Sequence, residues 1–76
     1  MTVYVLYETG HYTGNRYYLM KDGGWRDVLS RKEADQVKKF YLESAAQSAA
    51  DEHNAPFNAG NSRRYAHVTV WDNPYR

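Results

Sequence analysis

The chain has 76 residues, 42% of them hydrophobic and 25% charged, which fits one small globular domain and excludes a two-domain cofactor enzyme or a disordered chain. Ten Lys plus Arg stand against nine Asp plus Glu, a formal net charge of +1, and that balance argues against a general binder of nucleic acid or membrane surfaces. With no cysteine there is no disulfide and no thiolate nucleophile or ligand, and the lack of any apolar run long enough for a signal peptide or a membrane span predicts a cytoplasmic protein.

Thr2 to Thr9 reads as a strand, because Val3, Tyr4, Val5, Leu6 and Tyr7 are all β-branched, aromatic or apolar. Gly10, Gly14 and Asn15 mark a turn, and Arg16 to Met20 follows as the second strand of an antiparallel hairpin. Lys21-Asp22-Gly23-Gly24 ends it with a strong turn signal. Ser30 and Glu33 then form the Ser-x-x-Glu pattern of a capping box, with the Glu carboxylate expected on the amide of Ser30.

A helix is predicted from that cap to about Asp51. On a helical wheel Ala34, Val37, Tyr41, Ala45 and Ser48 form one stripe, widened by Phe40 and Ala49, while Asp35, Lys39, Glu43, Lys32 and Gln47 oppose it. His53 to Ser62 is a polar loop containing Pro56 and Gly60. Arg64 to Asp72 is the third strand, with Ala66, Val68 and Val70 alternating with Tyr65, His67, Thr69 and Trp71 until Asn73-Pro74 stops it.

The expected fold is therefore α+β: a three-stranded antiparallel sheet (β-β-α-β) with one long helix packed on one face, as a single domain over residues 1–76. Ala66, Val68 and Val70 would lie under the helix with Val3 and Val5. The opposite face would carry Tyr65, His67, Thr69 and Trp71 beside Tyr4, Leu6 and Glu8. An open aromatic face of that kind implies a partner, unless Trp25 to Leu29 folds across it as a lid and makes a second small core.

Catalytic chemistry finds little support. His11, His53 and His67 have no metal-ligand spacing, and Asp51-Glu52-His53 is explained as well by a polar helix end. The serines lack motif context and the acids are scattered, so no enzyme activity, metal or cofactor is expected. Three basic doublets, Arg31-Lys32, Lys38-Lys39 and Arg63-Arg64, leave room for a single-stranded nucleic-acid binder that stacks bases on the sheet. Acidic residues interleave with the helix lysines, which ranks that reading second.

Protein binding fits the inventory best, since aromatics make up 16% of the chain and eight residues are Tyr. Tyr4, Tyr65, His67 and Trp71 form one candidate surface, and Tyr12, Arg16 and Tyr18 on the hairpin form another. Trp71→Ala or Tyr12→Ala is expected to weaken binding without unfolding the domain. The same residues would serve a homodimer.

In size and layout, one helix on a small sheet without a catalytic motif, the whole chain resembles small phage-encoded inhibitors of the anti-CRISPR type. That resemblance implies a non-enzymatic inhibitor of a bacterial defence complex, such as a CRISPR-Cas effector, acting in the host cytoplasm by stoichiometric occupation of a protein surface. Because this chain is not acidic, capture of a protein subunit fits it better than mimicry of DNA.

Overall fold

The computed structural model describes residues 2–9, 15–56 and 65–75. The elements run β1 (Tyr4–Thr9), β2 (Arg16–Leu19), β3 (Trp25–Arg26), α1 (Arg31–Asp35), α2 (Glu43–Asn54) and β4 (His67–Val70). The class is α+β with an antiparallel sheet, as expected, but among the described residues the sheet has four strands rather than three, in the order β3-β2-β1-β4. The added strand, β3, is two residues long and pairs Trp25 with Leu19 and Arg26 with Tyr18. Two residues carry no readable period, which is why the sequence showed only the turn before them.

That turn is closed by Met20 N–H donating to the Gly24 carbonyl at 2.7 Å and Gly23 N–H donating to the Met20 carbonyl at 3.0 Å. Gly23 sits at φ +90°, a conformation that any Cβ would strain. The Asp22 carboxylate accepts from Gly24 N–H at 2.8 Å and from the Arg26 guanidinium at 2.7 Å. The Gly10–Gly14 turn of the first hairpin, and Tyr12 with it, lies outside the described residues.

The predicted long helix is two helices. Ser30 does cap the first: its Oγ accepts from Glu33 N–H at 3.3 Å and donates to Glu33 Oε1 at 3.1 Å. The Glu carboxylate thus meets the Ser30 hydroxyl instead of its amide. α1 ends at Asp35, and Val37 to Phe40 wedges between β1 and β2. Phe40 exchanges both backbone bonds with Tyr4 at 2.8 Å, Lys38 N–H donates to the Leu19 carbonyl at 2.9 Å, and Lys21 N–H donates to the Gln36 carbonyl at 2.8 Å.

The wedge has a physical reason. β1 and β2 pair only through Tyr7, Glu8 and Thr9, so their diverging ends need backbone partners, which the wedge supplies. β-branched Val37 and aromatic Phe40 lose little by leaving a helix. Lys39 closes α1 by donating to the carbonyls of Ala34 at 3.3 Å and Val37 at 3.2 Å. Burial there holds its ammonium below the ordinary 10.5, with Lys21 acting in the same sense and Asp35 against it.

Breaking the helix also divides the core. Val37 and Ala46 are nine residues apart, so a continuous helix would turn them about 180° away from each other. As built, they fill separate cores on opposite faces of the sheet. Ala46 and Ala50 of α2 pack on Leu6 and Ala66, flanked by Tyr4, Leu19 and Trp25. Val37 packs on Val5 and Met20 on the other face, flanked by Tyr18, Val28 and Trp71. The expected stripe through Tyr41, Ala45 and Ser48 is exposed instead, and α2 buries Ala46, Ala50 and Asn54.

The lid reading holds in part. Val28 covers the second core, whereas Trp25 belongs to β3 and packs on the α2 side. Among the described residues no helix is long and apolar enough to cross a membrane.

Candidate functional site

The β1–β4 register decides which side chains share a surface. Tyr4 lies opposite Val70, Leu6 opposite Val68 and Tyr7 opposite His67. Side chains of paired residues point to the same face. Tyr4 and Leu6 therefore join Val68 and Ala66 under α2, not Tyr65, His67 and Trp71 as the sequence suggested. Val3 and Val5 move the other way. β1 is apolar at both parities, so alternation alone could not orient it.

This register takes Tyr4 off the candidate surface and brings the other described candidates together, Tyr12 lying outside the described residues. On the face away from α2, five rings run in sequence across three strands. Trp71 and Tyr18 meet edge-on with centroids 5.3 Å apart, and both pack against the Val5–Met20–Val37 core. Tyr18 faces its cross-strand partner Tyr7 at 6.3 Å, and Tyr7 faces His67 at 5.3 Å. His67 then faces Tyr65, two residues back in the segment that leads into β4, with centroids 5.5 Å apart. All four separations fall in the range where tilted and edge-to-face rings attract.

The Arg16 guanidinium lies over the Tyr7 ring, with Cζ 4.2 Å from the centroid. Arg16 and Tyr18, assigned from sequence to a separate hairpin surface, thus join Tyr65, His67 and Trp71 around Tyr7. Tyr7 is the residue that sequence reasoning missed as a member of this surface. It becomes identifiable only once the strand register is known.

Beside the Tyr18–Trp71 end of the ring row lies an open groove of about 430 Å³, lined also by Arg16, Asp27, Leu29 and Asp72. Leu29 is 71% exposed there. The C-terminal segment shapes this end of the molecule: Arg31 Nε donates to the Tyr75 carbonyl at 2.9 Å, and Tyr75 N–H donates to Asn73 Oδ1 at 2.8 Å. The indole Nε1 of Trp71 is buried without an acceptor among the described residues.

Trp71 has a double part, because the same side chain flanks the Val5–Met20–Val37 core. Its truncation would disturb packing as well as the surface, contrary to the expectation that the domain would tolerate it. Arg16 and His67 are exposed and do not flank either core.

On the α2 side, His53 turns toward Glu8, with Nε2 and Oε2 4.0 Å apart, and its ring lies 4.9 Å from Trp25. Asp51 accepts from Gln47 at 2.9 Å. Asp51 and His53 are thereby directed to separate neighbours, and among the described residues no group of three or more His, Cys, Asp or Glu could hold a metal ion. Comparison with protein-family models, curated proteins and solved structures found no match for this chain.

Proposed function

We propose that this domain is a non-enzymatic protein-binding inhibitor that occupies a partner's surface with the ring row centred on Tyr7. The observation that carries the reading is the continuity of that row: Trp71, Tyr18, Tyr7, His67 and Tyr65 in succession, with Arg16 stacked on its middle. Aromatic side chains and Arg concentrate binding energy at protein interfaces, because Tyr and Trp offer large rigid area with one polar group and Arg adds a guanidinium with several donors that stacks on rings. Exposed Leu29 extends the apolar area at one end. In keeping with the resemblance in size and layout to phage-encoded inhibitors, the partner we propose is a subunit of a bacterial defence complex of the CRISPR effector kind, bound stoichiometrically.

Base stacking by a single nucleic-acid strand is the competing reading, since rings and one guanidinium share a face. The groove weighs against it. Arg16 is flanked there by Asp27 and Asp72, whereas a strand of phosphates needs an excess of cations along its path.

Capture of effector complexes on the tagged domain, with and without nuclease and at rising salt, separates the two. An inhibitor that grips protein retains a discrete complex after nuclease and high salt, and blocks that complex's binding to target DNA at one domain per complex. Recovery of nucleic acid alone, lost as salt rises, would replace this reading with the base-stacking one.

A further inference from the structure

We propose that the outer edge of β4 accepts an extended, Lys- or Arg-bearing segment of a partner protein as a fifth strand of the sheet. Among the described residues β4 is an edge strand, paired on one side only. The backbone directions follow from a single bond: Trp71 N–H donates to the Val3 carbonyl at 2.7 Å. In an antiparallel ladder the groups of alternate residues point to opposite sides. His67, Thr69 and Trp71 therefore direct N–H and C=O toward β1, and Ala66, Val68 and Val70 direct theirs outward.

The fold closes the first of these outward positions. Asn54 is 6% exposed, and its side-chain amide imitates a neighbouring strand: Ala66 N–H donates to Oδ1 at 2.7 Å and Nδ2 donates to the Ala66 carbonyl at 3.0 Å. Val68 and Val70 have no such partner among the described residues, so two donors and two acceptors form an open ladder. A groove of about 510 Å³ runs beside them, lined by Val68 and Val70 below and by Glu43 and Gln47 of α2 above. Val70 is 57% exposed in it.

Charge selects the occupant. α2 carries Glu43, Asp51 and Glu52 and no Lys or Arg. A second copy of the chain, paired β4 to β4 about a twofold axis, would set two such acidic helices side by side. A basic segment meets Glu43 instead. Backbone bonds would supply the affinity and alternate side chains the selectivity, as in other strand additions. The inference stands on the β4 backbone and holds whether or not the ring row binds a partner.

The probe is a synthetic heptapeptide of alternating Thr and Lys, compared with its Thr-Glu counterpart and followed by amide NMR on the intact chain. The Thr-Lys peptide is expected to shift the Val68 and Val70 amides and slow their hydrogen exchange, with the Thr-Glu peptide at least tenfold weaker. Val70→Pro removes an outward N–H without touching the β1–β4 ladder and should weaken the Thr-Lys peptide at least tenfold. Glu43→Lys leaves the edge intact and should reverse the preference between the two peptides. Equal binding of both peptides, or shifts that bypass Val68 and Val70, would overturn the proposal. So would an undiminished Val70→Pro, or protection of these amides by concentration-dependent dimerisation of the chain alone.

Discussion

Asn54 shows how much one side chain can decide. It is a buried polar residue whose amide makes two hydrogen bonds to the backbone of Ala66, and so joins the end of α2 to the start of β4. Asn54→Ala would leave both Ala66 groups without partners at a buried position, which costs about 2 kcal/mol. For a domain of this size that corresponds to a fall in Tm of roughly 10 °C, measurable by thermal unfolding.

Asp22 acts by charge in an exposed turn. The Gly24 N–H holds its carboxyl below the ordinary 3.8, desolvation works in the opposite sense, and Arg26 adds to the lowering. A carboxyl with a depressed folded pKa stabilises in full above the unfolded value, and that contribution is lost as pH falls through the folded one. The stability difference between the native chain and Asp22→Asn should therefore be constant from neutral pH down to about pH 5 and shrink below pH 3.8. Urea unfolding across that range checks it.

The segment from Ser30 to Asn54 carries the clearest lesson about elements. Its start was legible, because a capping box is a local chemical fact: Ser30 Oγ and Glu33 N–H meet at 3.3 Å within four residues. Its interruption was not. Nothing between Gln36 and Leu42 is Gly or Pro, and the pattern reads on as helix. The break follows from two strands elsewhere in the chain whose diverging ends take the backbone of Lys38 and Phe40. Val37, fully buried between Val5 and Met20, anchors that wedge. Val37→Ala removes two methyl groups' worth of packing and leaves a cavity, a loss of about 2 kcal/mol. A lowered urea midpoint with an unchanged slope is the expected result.

For the molecule as a whole, a small sheet is covered on one face by α2 and on part of the other by Val28, Val37 and Trp71. The ring row lies on that same second face, so binding surface and second core meet at Trp71 and Tyr18. In the capture experiment this gives the variants different signatures. Arg16→Ala should weaken the complex by about 2 kcal/mol, roughly thirtyfold, at unchanged Tm. Trp71→Ala should lower both affinity and Tm. If Arg16→Ala leaves affinity intact, the ring row is not the contact surface.

By itself the sequence determined what depends on neighbours along the chain: the strand-forming character of β1, β2 and β4, the turn at Asp22-Gly23, the cap at Ser30 and the antiparallel α+β class. It also supplied Arg16 and Tyr18 as candidates by residue type, and Tyr65, His67 and Trp71 by residue type and by alternation along one strand. Tertiary structure decided the register, the helix break and the grouping of those candidates around Tyr7. The reason is physical. A strand apolar at both parities, such as Val3-Tyr4-Val5-Leu6-Tyr7, can present either set of side chains to a core, and pairing with a distant strand selects one. One step of register moved Tyr4 under α2 and brought Tyr7 against Arg16 and His67.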